Sequence, residues 1–142
     1  MLGKPLILCV DDALSVLEGR KSLLQQKGFE VLTASNGKEA CEVFMSYPVD
    51  LVVLDYHMPI MNGGVAAAYM KASKPDVPVV LLSADDSVAA SISKTVDVFV
   101  SKSESIPVFL ELVDRLLGER FLFQPIGGAE TGASARVREQ RR

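Results

Sequence analysis

Four apolar residues, Leu51-Val52-Val53-Leu54, run straight into a carboxylate at Asp55, and Tyr56-His57-Met58-Pro59 follows at once. A leucine and β-branched run of this kind reads as a strand buried on both faces of a parallel sheet. Other polar groups stand in the same relation to other apolar runs: Asp11-Asp12 after Leu6–Val10, Ser83 after Val79–Leu82, and Lys102 after Val98–Ser101. Each has a plainer reading by itself. Asp11-Asp12 could be a helix cap and its neighbour, Asp55 a solvated strand end, Ser83 a loop hydroxyl and Lys102 a surface charge. As a set they fall at the carboxyl ends of four of five strands, the edge at which open α/β sheets place a ligand crevice. Three carboxylates held close together raise one another's pKa unless a cation is present. Hard oxygen ligands at an open edge suit Mg²⁺, which binds through one or two carboxylates and keeps several waters. Beside such a cation an Asp oxygen can act as a nucleophile toward phosphorus. A lysine and a hydroxyl at the same edge can then hold the oxygens of the transferred group.

These groups depend on a regular alternation of elements. Strands are expected at Leu6–Val10, Glu30–Ala34, Leu51–Leu54, Val79–Leu82 and Val98–Ser101, and helices at Ala13–Gln26, Lys38–Ser46, Gly64–Ser73, Ser87–Lys94 and Ile106–Leu117. Asp12 is the expected N-cap of the first helix and Gly28 its stop. Val16, Leu17, Leu23 and Leu24 are its expected apolar face. Asn36-Gly37 marks a turn before the second helix, and Tyr47-Pro48 ends it. Ser87–Lys94 is short, Ser-rich and poor in strong helix formers, so this helix is expected to be short or frayed. Strict β-α alternation implies an α/β fold, a doubly wound parallel sheet with right-handed crossovers. Glu30–Ala34 alternates in polarity and is the expected edge strand. That gives the strand order 2-1-3-4-5, with its switch point between the strands that end in Asp11-Asp12 and Asp55.

The chain has 142 residues, enough for one domain, with 49% hydrophobic and 6% aromatic residues and a net charge of −3. A nucleic-acid-binding face usually shows clustered basic charge, so direct nucleic-acid binding is not expected. No apolar run approaches the ~20 residues of a membrane span. Met1-Leu2-Gly3-Lys4-Pro5 leads directly into the first strand without a signal peptide, so a cytoplasmic location is expected. Cys9 and Cys41 lack metal-ligand spacing and read as buried reduced thiols.

Over about residues 4–118 the chain resembles a receiver domain of two-component response regulators, with the flavodoxin-like or CheY-like (βα)5 fold. Asp11-Asp12 stands at the acidic-pair position, and Asp55, followed by Met58-Pro59 and Asn62-Gly63, at the phosphoacceptor position. Ser83-Ala84 matches the hydroxyl-plus-small pair and Lys102 the lysine after strand five. The resemblance implies a regulatory phosphoprotein rather than an enzyme. Asp55 would accept a phosphoryl group from a histidine kinase, a phosphotransfer protein or acetyl phosphate. Asp12, Asp55 and the backbone carbonyl of His57 would ligate Mg²⁺, with Asp11 acting through water. Lys102 and Ser83 would contact the phosphoryl oxygens, and Phe99 would be the aromatic that turns inward as Ser83 moves. The signal would pass to a downstream protein through the surface of Ser87–Lys94, Val98–Ser101 and Ile106–Leu117, which is also a possible homodimer interface.

The chain departs from the family pattern where Ser103 follows Lys102 in place of the usual Pro, and where Thr95-Val96 replaces the usual glycine. A cis bond before Ser103 would cost about 2.5–4 kcal/mol. His57 and Asp85 occupy rim positions that could tune hydrolysis of the acyl phosphate; the plainer reading of His57 is simple exposure. Two rival functions remain open. One is a phosphate-independent interaction module of the same fold. The other is a Mg²⁺-dependent phosphatase with an aspartyl nucleophile, for which His57 stands where a second carboxylate is usual and no substrate cap is present. Residues 1–118 are expected to form the receiver unit and 119–142 a tail or linker, partly disordered or serving as a docking arm.

Overall fold

A computed structural model of the chain describes residues 3–85, 87 and 96–122. The strands are β1 (Leu6–Val10), β2 (Glu30–Ala34), β3 (Leu51–Asp55), β4 (Val79–Ser83) and β5 (Val98–Ser101). The helices are α1 (Leu14–Gln26), α2 (Gly37–Ser46), α3 (Gly63–Ser73) and, at the C-terminal end, α4 (Ile106–Leu122). All four strand pairings are parallel, in the order β2-β1-β3-β4-β5 expected from the alternation. β3 and β4 are buried at every position, as continuous apolar runs require, whereas β2 at the edge is only partly covered. Most of the expected Ser87–Lys94 helix lies outside the described residues.

Side chains leave successive strand positions on opposite faces, which makes two cores from one sheet. Leu8, Val10, Val52, Leu54, Val79 and Leu81 point toward α2 and α3, where Phe44, Ala66, Ala67 and Met70 cover them. Ile7, Cys9, Leu51, Val53, Val80 and Leu82 point toward α1 and α4, against Leu17, Leu24, Phe109, Val113 and Leu116. Both cysteines are buried and free. Burial pushes the Cys9 thiol up to about 12, so it is held as an unreactive thiol.

Several local details differ from expectation. α1 is capped at Ala13, without a side-chain bond, because the carboxylate of Asp11 accepts from the Ala13 N–H and Asp12 is left exposed. Leu17 and Leu24 are the buried positions of α1, whereas Val16 is 44% exposed. α4 runs through Gly118 to Leu122, five residues beyond the helix end expected at Leu117. Its last turn is tied to the amino end of the sheet, because Arg120 pairs with Asp50 at 3.4 Å and donates to the Asp76 carbonyl at 3.0 Å. Asp50 itself accepts from the Leu6 N–H at 2.8 Å. A second tie joins α3 to the start of β5. Lys71 meets Asp97 at 2.7 Å, and the same Asp97 oxygen accepts from the Val79 N–H.

Candidate functional site

Asp11, Asp55 and Ser83 are the polar residues that the fold buries fully among the described residues, and they share one sheet edge. Three adjacent strands end on them: β1 passes directly into Asp11, β3 ends at Asp55 and β4 at Ser83. Lys102 follows β5, and its N–H extends the ladder by donating to the Ser83 carbonyl at 2.9 Å. The side chain of Lys102 then crosses the edge. Its Nζ lies 2.8 Å from Asp55 Oδ1 and 3.6 Å from Asp11 Oδ2. No described peptide bond is cis, Lys102–Ser103 included. Ser103 is occupied with its own neighbour, sharing a 2.8 Å hydrogen bond between its Oγ and that of Ser101.

Asp11, Asp12 and Asp55 each offer a carboxylate oxygen, and these atoms all lie within 4.8 Å of one another. The three are not equivalent. Asp11 Oδ1 accepts from Ala13 N–H at 3.0 Å, and its Oδ2 faces two cations, Lys102 and Arg20. Asp12 is exposed, while Asp55 is 2% exposed and its Oδ1 accepts no well-aligned hydrogen bond. The Lys102 contact with that oxygen is therefore an ion pair that leaves lone-pair capacity unused. Burial pushes the Asp55 carboxyl above the usual range; Lys102 opposes this, and the negative charges of Asp11 and Asp12 add to it. Desolvation, ahead of the mutual repulsion foreseen from the sequence, is the leading cause. A buried oxygen with spare acceptor capacity beside two more carboxylates fits a hard divalent cation. The donor set is all oxygen, which suits Mg²⁺ better than a softer metal.

The loop after Asp55 is built to come close. Asn62 caps α3 by accepting from the Val65 N–H at 3.0 Å, and the Gly63 N–H donates to the Tyr56 carbonyl at 2.8 Å. A Cβ on Gly63 would overlap the Asp55 carbonyl oxygen and stand 2.8 Å from Tyr56 Cα, so only glycine fits there. Ile60 sits at φ 71°, an unusual conformation for a β-branched residue, and is 78% exposed. The local backbone strain of the site is concentrated at this residue.

The remaining expected residues fall around the cluster. Ser83 Oγ accepts from the Asp85 N–H at 2.9 Å. Hydrogen bonds from Ser87 hold the exposed Asp85 carboxyl below its ordinary range, with a smaller contribution from His57. His57 is exposed, with its ring edge-on to Tyr56 at 4.9 Å. Phe99 is half-buried, pairs with Leu81 across β4 and β5, and packs against the α2–α3 core.

Arg20 was not foreseen. It stands three residues after buried Leu17 and four before buried Leu24, so it shares the inward stripe of α1, and its NH1 lies 3.4 Å from Asp11 Oδ2. An arginine on an otherwise apolar helical stripe was the available signal.

A family model described as the response regulator receiver domain matches residues 7–114. The transcriptional regulatory protein PrrA of Mycobacterium tuberculosis is 34% identical over 119 residues, covering 82% of this chain and 51% of PrrA. The autoinducer 1 sensor kinase/phosphatase LuxN of Vibrio harveyi is 40% identical over 85 residues, 57% of this chain and 10% of LuxN. The chain thus spans about half or less of the length of these curated relatives. Among solved structures, response regulator TrrA of Thermotoga maritima in complex with Mg²⁺-BeF is 36% identical, with a TM-score of 0.76, covering 79% of this chain and 98% of that one. The receiver domain of a Francisella response regulator is 25% identical with a TM-score of 0.74, covering 80% and 97%.

Proposed function

Because this chain belongs to the response regulator receiver family, we propose that it is a phosphorylation-dependent signalling switch whose phosphoacceptor is Asp55. The observation that carries this reading is the buried Asp55 oxygen with spare acceptor capacity, 2.8 Å from the Lys102 ammonium and next to two more carboxylates. In the transfer an Asp55 oxygen attacks the phosphorus of a phosphohistidine on a histidine kinase or phosphotransfer protein. The P–N bond breaks, the phosphohistidine ring, already protonated on its other nitrogen, leaves as neutral imidazole, and an acyl phosphate forms on Asp55. A small acyl phosphate such as acetyl phosphate serves equally as donor, with acetate as the leaving group.

Asp12, Asp55 and the main-chain carbonyl of His57 are the groups that would hold Mg²⁺ directly. Asp11, whose oxygens are already engaged, would act through water. The metal, when bound, supplies positive charge that offsets the carboxylates and the incoming phosphoryl oxygens. Lys102 orients on Asp55 before transfer and stabilises the phosphoryl charge after it. Ser83 exchanges its hydrogen bond from Asp85 for one to a phosphoryl oxygen, and Phe99, packed beside Leu81 on the neighbouring strand, turns inward as that loop moves. The output surface comprises residues 87–94, β5 and α4, for a downstream protein or a second copy of the chain. A cytoplasmic location goes with this reading.

The test is incubation with acetyl phosphate and Mg²⁺, following intact mass and donor consumption beside an Asp55→Asn control. One labile phosphoryl group on the wild type and none on the control is the expected result. Rapid, sustained donor turnover would instead indicate a phosphatase, and absence of modification a phosphate-independent module.

A further inference from the structure

Among the described residues, Arg20 is held in place by a single carboxylate. Its side chain is 14% exposed, and its ion-pair partner among the described residues is Asp11, at 3.4 Å. A guanidinium this far removed from water is costly unless paired, so the side chain depends on that contact. Asp11 is equally committed: Oδ1 accepts from the Ala13 N–H, and Oδ2 is shared between Arg20 and Lys102. The two cations differ in what they reach. Among the described residues, Lys102 touches both Asp55 and Asp11, whereas Arg20 pairs with Asp11 and not with Asp55. Both line a cleft of about 400 Å³ that continues between α1 and α4 over Leu82, Val100 and Phe109, which gives the guanidinium room to withdraw.

We propose that Arg20 is a positioning residue that serves as a built-in counter-cation for Asp11 and limits how tightly the carboxylate cluster takes a divalent cation. The inference rests on the reading of Asp11, Asp12 and Asp55 as a Mg²⁺ site. In the metal-free protein three carboxylates face two cations, and Arg20 offsets repulsion that the strand ends would otherwise suffer. An arriving divalent ion meets the positive charge of Arg20 and competes with it for Asp11. The coupling is reciprocal: whatever Arg20 takes from metal affinity, bound metal takes from the Arg20–Asp11 pair. Neutralising Arg20 therefore tightens metal binding while weakening the metal-free fold. Removing one unit charge at hydrogen-bonding range of Asp11, which reaches the metal through water, is expected to tighten Mg²⁺ binding on the order of tenfold.

The test titrates Mg²⁺ calorimetrically into the full chain as wild type, Arg20→Gln, Arg20→Met and Arg20→Lys. Thermal unfolding of each is measured with chelator and with Mg²⁺. The Met variant keeps the aliphatic volume, so a fold intolerant of Gln still leaves a neutral variant to measure. Gln and Met are expected to bind Mg²⁺ about tenfold more tightly, to melt lower in chelator and to gain more from Mg²⁺ than wild type, while Lys restores wild-type affinity. Equal or weaker affinity in both neutral variants, a Lys variant that behaves like Gln, or no binding heat in any chain overturns the proposal. Phosphoryl transfer to Asp55 is read separately by mass. The expected Mg²⁺ shifts without phosphorylation sink the switch and leave the role of Arg20 standing; phosphorylation with unshifted Mg²⁺ affinity sinks the role of Arg20 alone.

Discussion

Asp55→Asn is expected to stabilise the metal-free protein. Carboxylate oxygens of Asp11 and Asp12 lie within 4.8 Å of one on Asp55. At an effective dielectric of about 20, each such pair repels by roughly 3 kcal/mol or more, about 7 kcal/mol for the two. Lys102 at 2.8 Å returns about 6 kcal/mol on the same scale, less because its side chain is 33% exposed. Repulsion and attraction nearly cancel, and what remains is the cost of keeping a carboxylate that is 2% exposed away from water. Asn keeps the shape and removes that cost, so a gain of about 1–2 kcal/mol follows near neutral pH. The pH dependence has a definite sign. The Asp55 carboxyl is raised, so the folded state binds its proton more tightly than the unfolded state does. The stability this contributes is present at low pH and is lost as pH climbs from the ordinary carboxylate range through the raised pKa. The advantage of Asn over Asp therefore opens as pH rises and closes toward about pH 4. Urea unfolding in chelator, followed by circular dichroism at acidic and neutral pH, measures the gap. An Asn variant less stable than wild type at neutral pH, or a gap that ignores pH, would show that the buried Asp55 charge does not destabilise the metal-free fold.

Four further perturbations follow from the structure. Gly63→Ala drives a methyl group into the backbone of Asp55 and Tyr56 and is expected to cost about 3 kcal/mol, whereas Gly19→Ala, in α1 with nothing within 4 Å, should stabilise by about 0.5–1 kcal/mol. Chemical denaturation of both variants checks the opposite signs. Lys71→Met removes the ammonium that stands 2.7 Å from the Asp97 carboxylate and is expected to cost about 2–4 kcal/mol, part of it recovered by adding Asp97→Asn. His57→Ala, at an exposed position, should change stability by less than about 0.5 kcal/mol while altering the lifetime of phosphorylated Asp55. An unchanged decay rate would count against any role for His57 in hydrolysis.

The sheet and its polar edge were legible because they depend on local pattern. The apolar runs at Leu6, Leu51 and Val79 fix three strands, and each strand's last residues are then known to lie at one edge; Asp11, Asp55, Ser83 and Lys102 come together by topology alone. What stayed hidden depends on contacts distant in sequence or on competition between neighbours. Asp12 looked like the cap of α1, but the Asp11 carboxylate takes the Ala13 N–H and shifts the helix start. The last helix was expected to span Ile106–Leu117, yet Arg120 finds Asp50 seventy residues away, and α4 runs on through Gly118. Arg20 carried no expectation from the sequence, because one arginine in a helical stretch has many unremarkable places to point. Only the packed position of α1 shows that its stripe points at Asp11.

The switch stands or falls on the identity of the acceptor. After reaction with acetyl phosphate and Mg²⁺, borohydride reduction converts an aspartyl phosphate to homoserine, which peptide mass spectrometry locates by residue. Conversion is expected at Asp55 and not at Asp11 or Asp12. Conversion at either of those residues, or at none of the three while the folded protein binds Mg²⁺, would contradict it.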